Sequence, residues 1–127
     1  MMMETYDTLL TSVSGIVAVR DFGTEDQPSV ESMEEFYFTP GNLLIAARPD
    51  FEGDIAVHVS VGGEMPSAMR QVLEKIMNFK SGILSVSAPE YPDEESLRLP
   101  CAGYWKVRAF VCGSPNPDRV VLILNEL

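Results

Sequence analysis

The sequence predicts an all-β protein, an antiparallel β-sandwich of about eight to nine strands. Two observations lead to this prediction. Short apolar segments alternate with turn residues along the 127-residue chain, which contains nine glycines and nine prolines. Several of these segments also alternate between apolar and polar residues, a period of two that is typical of half-buried strands. No internal repeat or long linker divides the sequence, so residues 1–127 are expected to form a single β-sandwich domain.

The first third of the chain predicts strands that are separated by polar turns. Residues 8–20 form one or two strands that break near Gly15, and the apolar run 16–19 is expected to be buried on both faces. Residues 21–32 are rich in glycine, proline, serine and acidic residues, which predicts a surface loop. Residues 32–38 fit either a short helical turn with a capping box or an edge strand, and both interpretations stay open.

The middle of the chain contains one clear strand and one ambiguous segment. Residues 43–48 predict a strand, and residues 55–61 alternate strictly, so they predict a half-buried strand that ends at the glycine pair 62–63. From Met65 to Phe79, large apolar residues recur at helical spacing and most residues favour helices. A strand fits this segment less well, so its local signals favour one short helix.

The C-terminal part predicts further strands at residues 83–87, 96–99, 104–112 and 120–124. Within residues 104–112, the side chains of Trp105, Val107, Ala109 and Val111 fall on one face. The last two strands are separated by a turn rich in glycine and proline, so a long-looped hairpin is expected.

Composition and charge exclude several classes of function. Hydrophobic residues make up 46% of the chain, which is typical of a folded globular protein, and no apolar run reaches the ~18–20 residues that cross a bilayer. The first residues lack the pattern of a signal peptide, so a cytoplasmic location is expected. The formal net charge of −10 disfavours binding to nucleic acid or to anionic membranes. The same charge favours encounter with a basic protein, although it also fits a role in solubility alone.

No catalytic residue, metal site or cofactor is predicted, so the protein is expected not to be an enzyme. His58 is the only histidine, which excludes multi-histidine zinc sites, and it falls on the polar face of its strand. No glycine-rich phosphate loop is present. The two cysteines, Cys101 and Cys112, lack metal-type spacing and lie in apolar stretches, so free and mostly buried thiols are expected.

The acidic residues fall into groups, of which the first is the candidate partner-binding surface. It has five acids in eleven residues with no base among them: Glu25, Asp26, Glu31, Glu34 and Glu35. Residues 50–54 are similar to part of a calcium loop but lack its ligand count and closing glutamate. They are therefore interpreted as solvated loop charge, as are residues 93–95. Aromatic and basic residues alternate in 104–110, a pattern also found in nucleic-acid-binding strands, but the net charge favours packing at a sheet surface.

The order of features resembles that of the bacterial competence protein J family, the DNA-entry nuclease inhibitors. The stretches that carry the resemblance are residues 68–76, 81–86 and 97–107, with residues 41–45 and 54–61 in compatible order. Within them, residues 99–104 are similar to an "LPxGxY" entry into a strand, with one extra residue. The resemblance implies a β-sandwich in which residues 69–77 form a strand, and it implies an inhibitory or immunity role. It carries over no inhibitory residue.

Two functions are therefore expected from the sequence. The first is a non-catalytic protein-binding module, an acidic inhibitor of a nuclease, a toxin or another basic partner. The alternative is a β-sandwich that binds a small molecule or a cation, with its site in the acidic loops or between the sheets.

Overall fold

The computed structural model describes residues 5–30, 34–90, 95–113 and 116–127. In this part of the chain there are ten strands and one short 3-10 turn at Asp50–Glu52. The strands are β1 Thr5–Leu10, β2 Ile16–Asp21, β3 Phe36–Thr39, β4 Asn42–Ala46, β5 Ile55–Val61, β6 Arg70–Phe79, β7 Ile83–Ser87, β8 Glu95–Arg98, β9 Gly103–Cys112 and β10 Arg119–Glu126. No helix in these ranges is long and apolar enough to span a membrane.

The strands form two five-stranded sheets that pack face to face. The first sheet has the order β1-β5-β10-β9-β6 and the second has the order β3-β4-β2-β7-β8. All neighbouring strands are antiparallel except β5 and β10, which are parallel. The predicted β-sandwich is confirmed, with one more strand than expected and one parallel pair. Alternation along a strand identifies the strand but not its neighbour, which is why the parallel pair was not predicted.

The core lies between the sheets and is built from alternate residues of each strand. Trp105 is 1% exposed, and its indole N–H donates a 3.1 Å hydrogen bond to the carbonyl oxygen of Cys101. The other residues predicted to share its face in β9 are buried with it. Full burial of each large apolar side chain contributes about 1.5–3 kcal/mol, so this layer is the main source of stability.

Two contacts join the sheets at their lateral edges. On one side, the hydroxyl of Tyr6 in β1 donates a hydrogen bond to the carboxylate of Glu95 in β8. On the other side, the ammonium group of Lys75 in β6 lies 5.8 Å and 5.6 Å from the ring centroids of Phe36 and Phe38 in β3. Both contacts close the sandwich where edge strands would otherwise leave the core open.

The helix favoured for residues 65–79 is wrong, and the strand implied by the resemblance is confirmed. Leu73 and Met77 both point into the core, as they would in a helix, because a spacing of four residues fits a period of two as well as one helical turn. A β-bulge between Gln71 and Leu73 interrupts the alternation, so the strand pattern is hidden in the sequence. The edge strand at residues 36–39 is confirmed, while Ser32 of the alternative capping box lies outside the described residues.

Residues 62–69 cross the outer face of the first sheet. The strand directions make β5 and β6 parallel, so their connection must return along the length of the sheet. Met69 packs against Phe110, Val121 and Ile123, which point away from the core and are nonetheless buried. Met69 therefore covers part of the outer face formed by β9 and β10.

The expectation of buried cysteines is wrong. Cys101 and Cys112 are both free, as predicted, but both are exposed. Cys101 lies in the turn before β9, and Cys112 is the last residue of that strand. Cys112 follows the buried Phe110 and Val111 but stands at the end of its strand, and Cys101 stands in a turn, so apolar neighbours in sequence do not bury either thiol.

Candidate partner-binding surfaces

The acidic segment, residues 25–35, does not form one uniform surface. Glu25 and Asp26 lie in the loop after β2, Glu34 and Glu35 precede β3, and Glu31 lies outside the described residues. The four described side chains belong to exposed residues, but they differ in what they contact.

Asp26 holds its loop against the β3–β4 turn. Its Oδ2 accepts hydrogen bonds from the backbone N–H of Gly41 at 3.0 Å and from the hydroxyl of Thr39 at 3.2 Å. Its backbone carbonyl oxygen accepts a further hydrogen bond from the side-chain amide of Asn42 at 2.9 Å. One oxygen of the Asp26 carboxylate therefore takes part in holding the fold together.

Glu35 forms an ion pair with Arg70, which lies 35 residues away in the sequence. Its Oε1 lies 2.6 Å from Nη1 of Arg70 at the start of β6, and both side chains are more than half exposed. The pair removes net charge from the acidic segment. No sequence signal indicates it, because the two residues meet only when β3 and β6 come together at the sandwich edge.

A second acidic region, which we call the Phe51 loop, comprises residues 48–54. Phe51 is 84% exposed, the highest value among the large hydrophobic side chains of the described residues. Asp50 and Glu52 flank it in the 3-10 turn, and both are exposed. The sequence indicated solvated charge here, and the exposed aromatic ring between the carboxylates is what that interpretation missed.

Hydrogen bonds inside the Phe51 loop fix its shape. The guanidinium of Arg48 donates from Nε and Nη2 to the carbonyl oxygen of Asp54, at 2.9 Å and 2.5 Å. The backbone N–H of Gly53 donates to the carbonyl oxygen of Asp50 at 3.0 Å. Gly53 has φ +122°, a backbone conformation that favours glycine, and a Cβ there would lie 2.7 Å from Nη2 of Arg48 and displace its guanidinium.

Neighbouring segments brace the Phe51 loop from outside. The side-chain amide of Asn116 donates to Oε2 of Glu52 at 3.1 Å, and the hydroxyl of Thr11 donates to Oδ1 of Asp54 at 2.8 Å. The backbone N–H of Arg48 donates to the carbonyl oxygen of Pro117 at 2.9 Å. The loop is therefore held by three hydrogen bonds from two segments, one around Thr11 and one at residues 116–117.

Glu34 and Glu35 of the acidic segment lie at the same end of the sandwich as the Phe51 loop, whereas Asp26 lies at the opposite end, beside the β3–β4 turn. Glu34 and Glu35 line a shallow recess of about 250 Å³ together with Asn116 and Pro117. Asn116 also contacts Glu52, as described above. One partner placed over residues 116–117 would therefore reach carboxylates from both regions.

The first sheet carries, along β1, β5 and β10, a groove of about 610 Å³, which we call the outer groove. Its titratable side chains are Asp7, His58 and Arg119, and Leu9 and Val121 belong to its apolar lining. His58 lies on the outer face, as its alternation predicts, with Nδ1 2.5 Å from Oδ1 of Asp7. The imidazole and the guanidinium of Arg119 are donors suited to an anionic group.

The shifted pKa values belong to groups that stabilise the fold. Burial and the hydrogen bond to Glu95 raise the pKa of Tyr6 to about 12, and hydrogen bonds from Thr8 and Tyr6 lower the pKa of Glu95. The Cys101 thiol donates to Glu126 at 3.4 Å, which raises the pKa of Cys101. Among the residues with described placement, no group of three or more histidine, cysteine or acidic side chains is arranged to hold a metal ion.

Two solved structures share this architecture over nearly the whole chain. One of them is ComJ. The crystal structure of ComJ from Bacillus subtilis, described as the inhibitor of the DNA-degrading activity of NucA, superposes with a TM-score of 0.77 at 9% sequence identity and covers 100% of both chains. The product of crocagin biosynthetic gene J superposes with a TM-score of 0.65 at 12% identity, over 98% of this chain and 97% of the other. No family model and no curated protein matches the sequence.

At these identities the similarity shows the fold alone. It confirms, at that level, the resemblance to the competence protein J family that the order of strands and turns indicated.

Proposed function

We propose that the protein is a non-catalytic protein-binding module that inhibits a basic partner, such as a nuclease. The observation that carries the proposal is the full-length similarity in fold to ComJ, an inhibitor of a DNA-degrading protein. Glu34, Glu35 and the Phe51 loop, which lie at one end of the sandwich, supply an exposed acidic surface for such a partner. The net charge of −10 speeds encounter with a positively charged protein and opposes binding to DNA itself.

An inhibition assay tests this function directly. Purified protein is titrated into DNA-degradation reactions of NucA from Bacillus subtilis and of each nuclease purified from the organism that encodes this chain. We expect near-stoichiometric inhibition of at least one nuclease, with potency that falls as ionic strength rises from about 0.05 to 0.5 M, because exposed charges are then screened. Full activity of every nuclease at saturating protein would contradict the proposal.

A second candidate function is the binding of an anionic small molecule with an apolar part. The outer groove supports it, because Arg119 and His58 lie beside the apolar side chains of Leu9 and Val121. The guanidinium of Arg119 makes a cation a poor occupant of the same groove.

Thermal shift measurements against a panel of metabolites distinguish the two candidates. A ligand of the native state raises the melting temperature, and Arg119→Ala would abolish the shift if the groove is the site. An unchanged shift in that variant would place the ligand elsewhere.

A further inference from the structure

Phe51 is an unusual surface residue because its ring is exposed while the backbone around it is held in place. Single exposed apolar side chains are common and carry no meaning alone. Here, however, the ring is 84% exposed on a loop that Arg48, Thr11 and Asn116 hold through the contacts described above. A rigid aromatic group loses little conformational entropy when it binds, which is the property of residues that dominate protein interfaces.

We propose that the Phe51 loop is the docking tip of the protein and inserts the phenyl ring into an apolar cleft of a basic protein. This inference rests on the proposed function and names the surface that performs it. The rim of the cleft would carry lysine or arginine side chains opposite Asp50 and Glu52.

The charge around the tip determines which kind of partner it can bind. Asp50 and Glu52 flank the ring, and the one cation of the loop, Arg48, turns its guanidinium back onto the carbonyl oxygen of Asp54. The tip therefore presents negative charge around an apolar centre. A second copy of this chain, with its net charge of −10, would be repelled, and so would nucleic acid.

The position of the tip agrees with a partner of ordinary size. Glu52 contacts Asn116, which also lines the recess beside Glu34 and Glu35. A protein that receives Phe51 would also cover this recess, since a stable interface buries roughly 800 Å² on each side. The aromatic ring would then lie near the centre of the contact with acidic residues at its rim, the arrangement typical of tight complexes.

Site-specific cross-linking tests the location without knowledge of the partner. The photoreactive residue p-benzoylphenylalanine is placed at position 51 in the full chain, in cells of the source organism. Position 104 is the matched control, because Tyr104 is 62% exposed and lies in β9 beside Lys106 and Arg108 instead of carboxylates. We expect light-dependent coupling from position 51 to a protein of high isoelectric point, and none to that protein from position 104.

Inhibition by variants gives the second readout. Phe51→Ala is expected to weaken inhibition of the target nuclease about 30-fold or more, the usual effect of truncating a central aromatic contact. Phe51→Trp should retain most of the inhibition, and Tyr104→Ala should change it less than about threefold. Melting temperatures should stay equal to that of the parent protein, because both side chains lie in solvent.

The outcomes separate this inference from the function on which it rests. Parent-like inhibition by Phe51→Ala would overturn the docking tip and leave nuclease inhibition intact. Coupling from position 51 to a basic protein that does not degrade DNA would support the tip and contradict nuclease inhibition. Absence of coupling from position 51 together with activity of every nuclease would overturn both.

Discussion

The acidic segment and the Phe51 loop are both rich in carboxylates, yet they use them differently. In the acidic segment, Asp26 ties a loop to the β3–β4 turn and Glu35 is neutralised by Arg70. In the Phe51 loop, Glu52 accepts a hydrogen bond from Asn116 and Asp54 accepts one from Thr11, while the exposed Asp50 lies beside the exposed ring of Phe51. A count of acidic residues therefore does not show which carboxylates are engaged within the fold.

Among the variants that test this comparison, Gly53→Ala is expected to have the largest effect on stability and inhibition. The φ of +122° and the approach of a Cβ to within 2.7 Å of Arg48 make alanine strained there, at a cost of about 1–3 kcal/mol. We expect chemical denaturation to show this loss of unfolding free energy, together with weaker inhibition of the target nuclease. Gly62→Ala is a matched control, because Gly62 has φ +78° and open space around its Cβ position, so its effect on inhibition should be small. Equal loss of inhibition in both variants would contradict a specific role of the loop shape.

The next effect concerns the role of Asp26 in the fold. Asp26→Ala removes the acceptor for Gly41 and Thr39, so we expect a loss of about 1–2 kcal/mol in unfolding free energy. Glu25→Ala, one residue away and exposed, should change it by less than about 0.5 kcal/mol. Urea denaturation of both variants measures the difference. Equal stabilities would mean that Asp26 is surface charge after all.

A third test uses pH on a carboxylate that stabilises the fold. Although burial raises the pKa of Glu90, hydrogen bonds from Ser14 and Ser12 lower it overall, below its usual value of 4.5. The stabilisation is therefore present above pH 4.5 and is lost as pH falls through the lowered pKa of the folded state.

Glu90→Gln should lower the unfolding free energy by about 1 kcal/mol at pH 7 and reduce its decline in acid. Melting curves between pH 3 and pH 7 measure both, with Asp50→Asn as the control from the Phe51 loop. An unchanged acid profile in the Glu90 variant would refute this assignment.

The smallest effect is expected from the ion pair of Glu35 with Arg70. Both side chains are more than half exposed, so solvent screens the pair and its coupling energy should be about 0.2–1 kcal/mol. A double-mutant cycle with Glu35→Gln and Arg70→Gln measures this coupling. A coupling well above that range would show that the pair holds β3 to β6, and would strengthen the structural interpretation of the acidic segment.

Strands were predicted most accurately where apolar and polar residues alternate regularly. Residues 55–61 and 104–112 alternate without interruption, and both appear as strands within a residue of the expected bounds. In β6 the bulge near Gln71 broke the pattern, and the four-residue spacing of Leu73 and Met77 suited a helix equally well. The segment forms a strand because the edge of β9 provides backbone hydrogen-bond partners along its whole length.

The candidate surface was harder to predict than the fold. Sequence counting found the acidic segment but not the pairing of Glu35 with Arg70, since that contact spans 35 residues and two sheets. It found the carboxylates around Phe51 but assigned them to solvent, since a turn sequence does not show which side chain projects. Whether a side chain is buried depends on every segment that packs around it, and many of those segments are distant in sequence.

The sequence by itself determined the β class, the positions of most strands, the outward direction of His58 and the acidic character of the surface. These depend on local alternation and on composition, which need no partner. Only the tertiary structure decided the parallel pairing of β5 with β10, the strand at residues 70–79, the exposure of both cysteines and the difference between the two acidic regions. Each of these depends on which segments, distant in sequence, meet in the folded chain.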